Sequence, residues 1–408
     1  MSLEVNISEP DEFNCVELHS CIENVARMYE IKDFTYHVEL ACGKCENFIA
    51  NVFRVTIVDT NDSDKKTSVI VKTLVNTTRQ ELFHELHKRE VKAYVEVISK
   101  YQTLQTKLGD DKVILPNCIL TDATKGKEVI ILDDLVSVGY ECDNKLNKLI
   151  NLDQKQVCTI LAELAKFHAL SIVFEYDDPE NFKNLKNEFN DLIFQESFLN
   201  KSKLRDYFND SLENSINLIT DVETKSKLDC VKVKLIDILR IFTSPRKFNV
   251  LCHGDCWENK TDICLLDFQA MRYCNPATDI VYFLYLSTDS KFRSLYMQTF
   301  LSAYFDSFSS FLKLNDIDTS TVYPQETLEA DVKDMLPYGF LMALVELRIV
   351  TTTDIDKDTS NEVDLEIDSN VENKYDDEML KVRVNDVVQE AKVNGTIDAI
   401  FDLLKTVK

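Results

Sequence analysis

The sequence predicts an α+β chain in which a small sheet near the amino terminus is followed by long helices. Glycine and proline number only seven each in 408 residues, few for an all-β protein with its many turns. Residues 51–58 and 68–75 are β-branched runs of alternating polarity across a short polar loop, the pattern of an antiparallel hairpin. From about residue 152 onward the apolar positions recur at helical spacing, and residues 183–242 contain neither Gly nor Pro.

Each element follows from its local pattern. Residues 81–101 lack Gly and Pro and are rich in Glu, Lys and Leu, so a long helix is expected there. Residues 128–132 read as another strand, ending in Asp133, Asp134 and Leu135. Leu161, Leu164, Ala165 and His168 share one helical face, with His168 expected to be a core histidine. Two short apolar runs, residues 248–251 and 263–266, flank a turn and read as strands. Asn275, Pro276 and Asp279 open a strongly apolar helix, with proline near its first position and the acid in its first turn. The acidic stretch 354–378 reads as a solvated, mobile loop, with a regulatory acidic segment as the sharper alternative.

Composition narrows the partners. With 46 Lys and Arg against 70 Asp and Glu, the formal charge is -24, which argues against nucleic acid and anionic membrane surfaces. At 45% apolar and 10% aromatic residues the chain can build real cores, and its length suggests two or three domain-sized units. No uninterrupted apolar run reaches the roughly 18 residues of a membrane helix; the longest, residues 336–350, is broken by Glu346 and Arg348. The start, MSLEVNISEPDEF, lacks the basic and apolar regions of a secretory signal, so a cytoplasmic chain is expected, with no membrane insertion. Its 12 cysteines have no framework spacing and read as reduced thiols. Cys42 with Cys45, and Cys252 with His253 and Cys256, leave a zinc or thiol reading open.

Chemistry concentrates in VLCHGDCWENK, residues 250–260, and in LLDFQ, residues 265–269. Each half is an apolar run delivering a carboxylate, Asp255 and Asp267. Two such carboxylates close together suit phosphoryl chemistry, in which one accepts a proton while the other holds Mg²⁺ on a polyphosphate. Lys72, inside an apolar strand, needs a counter-charge that Glu90 on the following helix can supply. Taken singly, Lys72 also reads as a solvent-facing strand lysine and Asp267 as a strand-end cap; the order of the parts favours the functional reading.

That order, from GKCENF through VIVKT, REVKAY, ILDDL, LAKFHALS, HGDCW and LLDFQ to PATDIVYFL, resembles the insect ecdysteroid-kinase-like family (the CHK kinase-like domain), related to choline kinases and aminoglycoside phosphotransferases. The resemblance runs from about residue 30 to 350. It implies a two-lobed protein-kinase-like fold: an amino-terminal nucleotide-binding lobe at 1–133 and a helical lobe at 134–408 with the catalytic loop and acceptor site. It also implies ATP and Mg²⁺ as cofactors and a small-molecule alcohol as substrate, of ecdysteroid or xenobiotic type. Lys72 would touch the α- and β-phosphates and pair with Glu90, while Gly43 would sit in the phosphate-covering loop. Asp133, Asp134 and Leu135 would lie beside adenine. Asp255 would be the base, Asp267 a metal ligand, Asp279 a brace for the catalytic loop and His253 a structural tie within it. A monomer is expected.

Two departures accompany the resemblance. Cys45 stands where the phosphate-covering loop would carry a second glycine, and a side chain there limits backbone approach to phosphate. The family's metal-binding Asn, after HGD and four more residues, falls on Lys260, whose ammonium cannot ligate a cation. The segment up to Asp267 is also short of a strand and turn. Asn259 can slide into the ligand position; the chain can be a catalytically weakened relative that still binds nucleotide or substrate; or the sequence can lack a small piece.

Overall fold

The computed structural model describes residues 9–41, 49–139, 152–256, 264–351 and 377–406. Its described residues form two compact units: residues up to 99 together with 115–139 make the first, and 100–114, 152–351 and 377–406 the second. Gly43, Cys42, Cys45, Asn259, Lys260 and nearly all of the acidic stretch lie outside the described residues.

In the first unit β1 (Phe34–Leu40), β2 (Asn51–Asp59), β3 (Lys66–Thr73), β4 (Cys118–Asp122) and β5 (Val129–Asp133) form an antiparallel sheet in the order β1-β2-β3-β5-β4. The expected hairpin is β2–β3, with Val55 opposite Val69 and Val52 opposite Lys72. Strand side chains alternate between faces. Phe53, Val55, Ile57, Val69, Val71, Val129 and Ile131 therefore share one face, where they bury Leu18, Ile22, Val25 and Ala26 of α1 (Val16–Met28). Ile70, Lys72 and Ile130 fall on the other face. The expected long helix is α2 (Gln80–Lys92), continued by a π-helical stretch, Ala93–Ile98, and then by α3 (Ser99–Leu104), through which the chain passes into the second unit.

Among the described residues, the second unit is helical apart from one small ribbon. Its helices are α4 (Gln154–Asp177), α5 (Pro179–Glu188), α6 (Glu196–Ser202), α7 (Leu204–Leu218), α8 (Val222–Asp229) and α9 (Leu235–Thr243). After the ribbon come α10 (Ala277–Ser287), α11 (Ser290–Leu314), α12 (Thr319–Val322), α13 (Gln325–Val350), α14 (Asp377–Val393) and α15 (Thr396–Leu404). A capping box starts α4: Asp153 accepts from the Gln156 N–H at 2.8 Å and Gln156 accepts from the Asp153 N–H at 2.8 Å. As expected, α10 follows Pro276, and residues 277–286 are all buried.

Two expectations change. Of the strand expected at 263–266, the described residues 264–266 form none: Cys264 makes a single bridge to Ile114, and β6 (Val250–Cys252) pairs with β7 (Arg272–Cys274) instead. The run is apolar, but a single bridge makes no ladder, and its described residues stay outside both sheets. Though not an unbroken apolar run, α4 is by length and composition able to cross a membrane. Glu163 and Lys166 interrupt its sequence, while 72% of its most apolar window is buried inside the protein, as in the core helix of a soluble fold.

Candidate active site

Within the first unit, the face opposite α1 carries the cation the sequence singles out. Lys72 Nζ lies 2.7 Å from Glu90 Oε2, and both residues are buried. A buried ammonium is tolerated only with such a partner, and α2 is docked to supply it. Glu128, fully buried beside the start of β5, accepts from Gln80 Nε2 at 2.6 Å and the Gly126 N–H at 2.9 Å, and meets His84 Nδ1 at 2.8 Å. Burial, with the Lys72 charge adding to it, holds the neighbouring His87 imidazole neutral by pushing its pKa down to about 4.

The Asp133–Leu135 corner serves the fold at two points. Asp134 is buried, accepts from Arg54 Nε at 2.8 Å and Ser68 Oγ at 2.7 Å, and caps the turn at 135–138 through the Val136 N–H. Its carboxylate is thus spent on the corner itself, and its carbonyl accepts from Ser137. Asp133 accepts from Tyr29 Oη at 3.1 Å, and Leu135 is half-buried.

In the second unit the HGD and DFQ segments are cross-tied. Gly254 adopts φ +89°, and a Cβ there would lie 2.2 Å from the Ala270 carbonyl oxygen, so only glycine allows this approach. His253 accepts from the Asp255 N–H at Nδ1 (3.3 Å), which leaves the proton on Nε2 to be donated to the Leu266 carbonyl at 2.7 Å. Phe268 stacks on Phe167 of α4 with centroids 5.9 Å apart. From α10, Asp279 accepts the His253 N–H at 2.6 Å and the Gly254 N–H at 3.1 Å, and bonds His168 Nε2 at 3.2 Å. Burial would raise the Asp279 pKa, but the His168 bond and nearby positive charge outweigh it and hold the carboxyl below its ordinary value. His168 is the buried core histidine expected, its Nδ1 bonded to Tyr304 Oη at 2.8 Å.

These ties bring Asp255 and Asp267 into one locality. Burial first, and the Asp267 charge second, push Asp255 above the usual carboxylate range, opposed by a 2.8 Å hydrogen bond donated by Tyr282 to Oδ1. Asp267 sits at φ +68°, a left-handed conformation rare outside glycine, and its Oδ2 accepts from Gln269 Nε2 at 3.2 Å. Such backbone strain, of order 1–3 kcal/mol, gathers where a site over-determines a side chain's direction. Two half-buried carboxylates of this kind offer hard oxygen donors suited to Mg²⁺.

Three neighbours of Asp255 are not among the site residues the sequence points to, although Tyr282 lies in PATDIVYFL and Glu346 breaks an apolar run. Tyr282 lies on α10, Glu346 on α13 and Tyr207 on α7; Tyr207 Oη donates to Glu346 Oε2 at 2.9 Å. Burial first, then the Asp255 charge, raise Glu346 to about 8. These residues meet only through helix packing, so no local motif announces their cluster.

The thiol reading loses its basis in the described half of its residues. Cys252 and Cys256 are buried, and burial pushes both thiols well up, away from the thiolate that metal binding or redox attack needs. His168, Cys252 and Asp279 lie close enough to share an ion. Each is already committed, Cys252 to the Cys274 carbonyl at 3.5 Å and the other two to the brace above.

Comparison with known proteins gives one positive finding. The family model described as "Ecdysteroid kinase-like family" matches residues 44–316, well over half of the chain. No curated protein matches. The matched span includes Lys72, Glu90, Asp255, Asp267 and Asp279 and stops before Glu346.

Proposed function

Since the chain belongs to the ecdysteroid kinase-like family, a family of kinase-like phosphotransferases, and has its antiparallel sheet followed by a largely helical region, we propose that it transfers the γ-phosphoryl group of ATP to a hydroxyl of a small organic molecule. The observation that carries this reading is the pairing of Asp255 with Asp267 on two segments locked together by His253 and Gly254. Asp255 takes the proton of the acceptor hydroxyl. The hydroxyl oxygen then bonds to the γ-phosphorus as the bond to the β,γ-bridging oxygen breaks, and ADP leaves with that electron pair. Tyr282 fixes the Asp255 carboxylate, keeping one oxygen turned to the acceptor. Lys72, oriented by Glu90, supplies positive charge to the α- and β-phosphates. Asp267, with Asn259, would hold Mg²⁺, which neutralises charge on the phosphates when bound. Gly43 and the backbone at 133–135 belong to the nucleotide side. Catalysis of this type is mainly positioning and charge neutralisation.

The acceptor class is an ecdysteroid or xenobiotic alcohol, and the setting a monomer in the cytoplasm, in keeping with nine described cysteines that are all free. Lys260 favours a second reading, a kinase-like binding protein with weakened turnover.

Thermal stabilisation by ATP separates the two. A ligand at a hundredfold over its Kd adds about 2.7 kcal/mol. The first reading expects that gain to require Mg²⁺ and ADP to be released with an acceptor, with Asp255→Asn abolishing release. Stabilisation indifferent to the metal, with no turnover, establishes the second; full turnover by Asp255→Asn refutes the role of that residue.

A further inference from the structure

Asp255 and Glu346 are arranged alike. Each has one carboxyl oxygen held by a tyrosine, Asp255 Oδ1 by Tyr282 at 2.8 Å and Glu346 Oε2 by Tyr207 at 2.9 Å. Among the described residues, neither Asp255 Oδ2 nor Glu346 Oε1 has a protein hydrogen-bond partner, and no Lys, Arg or His pairs with Glu346. The four groups form one cluster: the Asp255 charge is felt by Glu346 and by Tyr207, and the Glu346 charge by Tyr282. Three helices, α7, α10 and α13, deliver three of them around the loop that carries Asp255, so the surroundings of Asp255 are fixed by helix packing. Only half-buried, Glu346 keeps its open oxygen within reach of a bound molecule.

The chemistry of that open oxygen is that of a neutral acid. With its pKa raised to about 8, Glu346 is mostly protonated at neutral pH. A carboxylic acid both donates and accepts, and so matches a hydroxyl or a carbonyl. A polar group left unpaired in such a position when an acceptor closes over it costs affinity, which is how sites built to bind an oxygen reject molecules lacking it.

We propose that Glu346, held by Tyr207, is an acceptor-positioning residue: its open carboxyl oxygen binds a second hydroxyl or carbonyl of the alcohol whose reacting hydroxyl lies on Asp255. The site then selects acceptors with two nearby oxygens over mono-alcohols. This rests on the phosphotransfer reading for the role of Asp255, but the binding preference itself does not require turnover.

The test uses the full chain and two steroid probes, one with a single ring hydroxyl and its analogue with a second, vicinal hydroxyl. Isothermal titration without nucleotide measures binding; ADP release with ATP and Mg²⁺ measures acceptor KM and kcat. Wild type should bind the diol about five- to tenfold more tightly than the mono-alcohol, the worth of one hydrogen bond to a site built for it. Glu346→Leu should erase that preference while leaving mono-alcohol affinity and ATP stabilisation unchanged. Glu346→Gln, which still donates and accepts, should keep most of it, and Tyr207→Phe should lose part, so the proposal survives a folding failure of the leucine variant. Where turnover occurs, the effect of Glu346→Leu should fall on the KM for the diol more than on kcat. A preference that persists in Glu346→Leu, no preference in wild type, or no binding of either steroid overturns the proposal. A larger gain from an amine than from the second hydroxyl also overturns it, since that marks a cation site. A diol preference without ADP release leaves this inference standing and removes the phosphotransfer reading.

Discussion

Gly254 has two reasons to be glycine, its positive φ of +89° and the Ala270 carbonyl oxygen 2.2 Å from where a Cβ would stand. The second reason is backbone against backbone, which no rotamer relieves. Gly254→Ala is therefore expected to part the HGD and DFQ segments, removing turnover and lowering unfolding stability by about 2–4 kcal/mol, measured by urea denaturation. Tyr282 invites a subtler test. Its hydrogen bond favours the ionised form of Asp255, so removing it in Tyr282→Phe must raise the Asp255 pKa further. A base works only when deprotonated, so turnover should fall as pH drops through that pKa. The acidic limb of the kcat/KM profile is expected to lie at higher pH in Tyr282→Phe than in wild type; an unmoved limb means Asp255 is not the titrating base.

At the level of elements, Asp279 shows how α10 governs a loop it does not belong to. One oxygen accepts the Gly254 N–H, the other accepts the His253 N–H and meets His168. Asp279→Asn sets an NH₂ against one of these donors, whichever way the amide turns. A loss of about 2–4 kcal/mol in urea denaturation is expected, with weaker turnover but retained ATP binding by thermal shift, since Lys72 and Glu90 belong to the other unit. Much of this scaffold was legible in the sequence. Alternation exposed β2 and β3, and the absence of Gly and Pro exposed the helix that begins at Gln80. Pro276 with Asp279 marked α10, because each signal is a local steric or periodic rule. Residues 264–266 differ for the converse reason: whether an apolar run becomes a strand depends on a partner, and β6 found its own in Arg272–Cys274. Lys72, Glu90, Asp255 and Asp267 stood out as charged residues in apolar or motif contexts. Glu346 breaks an apolar run, but its tie to Tyr207, 139 positions away, exists only once the helices pack.

Across the whole molecule, two carboxyls pull the pH dependence of stability in opposite directions. Asp279 is held below its ordinary value, so its contribution is present above the unfolded pKa and is lost as pH falls through the folded one. Glu346 is the reverse case. Its pKa rises from 4.5 to about 8, so the folded state binds the proton more tightly than the unfolded chain. That contribution is full below pH 4.5 and drains away as pH climbs to about 8. The formal charge of -24 adds repulsion over the same range, but equally in closely matched variants. Comparing wild type with Glu346→Gln at fixed ionic strength isolates the single carboxyl, because glutamine keeps the shape and cannot ionise. The Tm of the variant relative to wild type should therefore be lowest near pH 5 and rise steadily toward pH 8, where wild type must hold a second charge beside Asp255. A difference in Tm that stays flat over that interval would mean that Glu346 ionises as easily in the folded protein as in the unfolded chain, and that it stands beside the acceptor as an anion instead of a neutral acid.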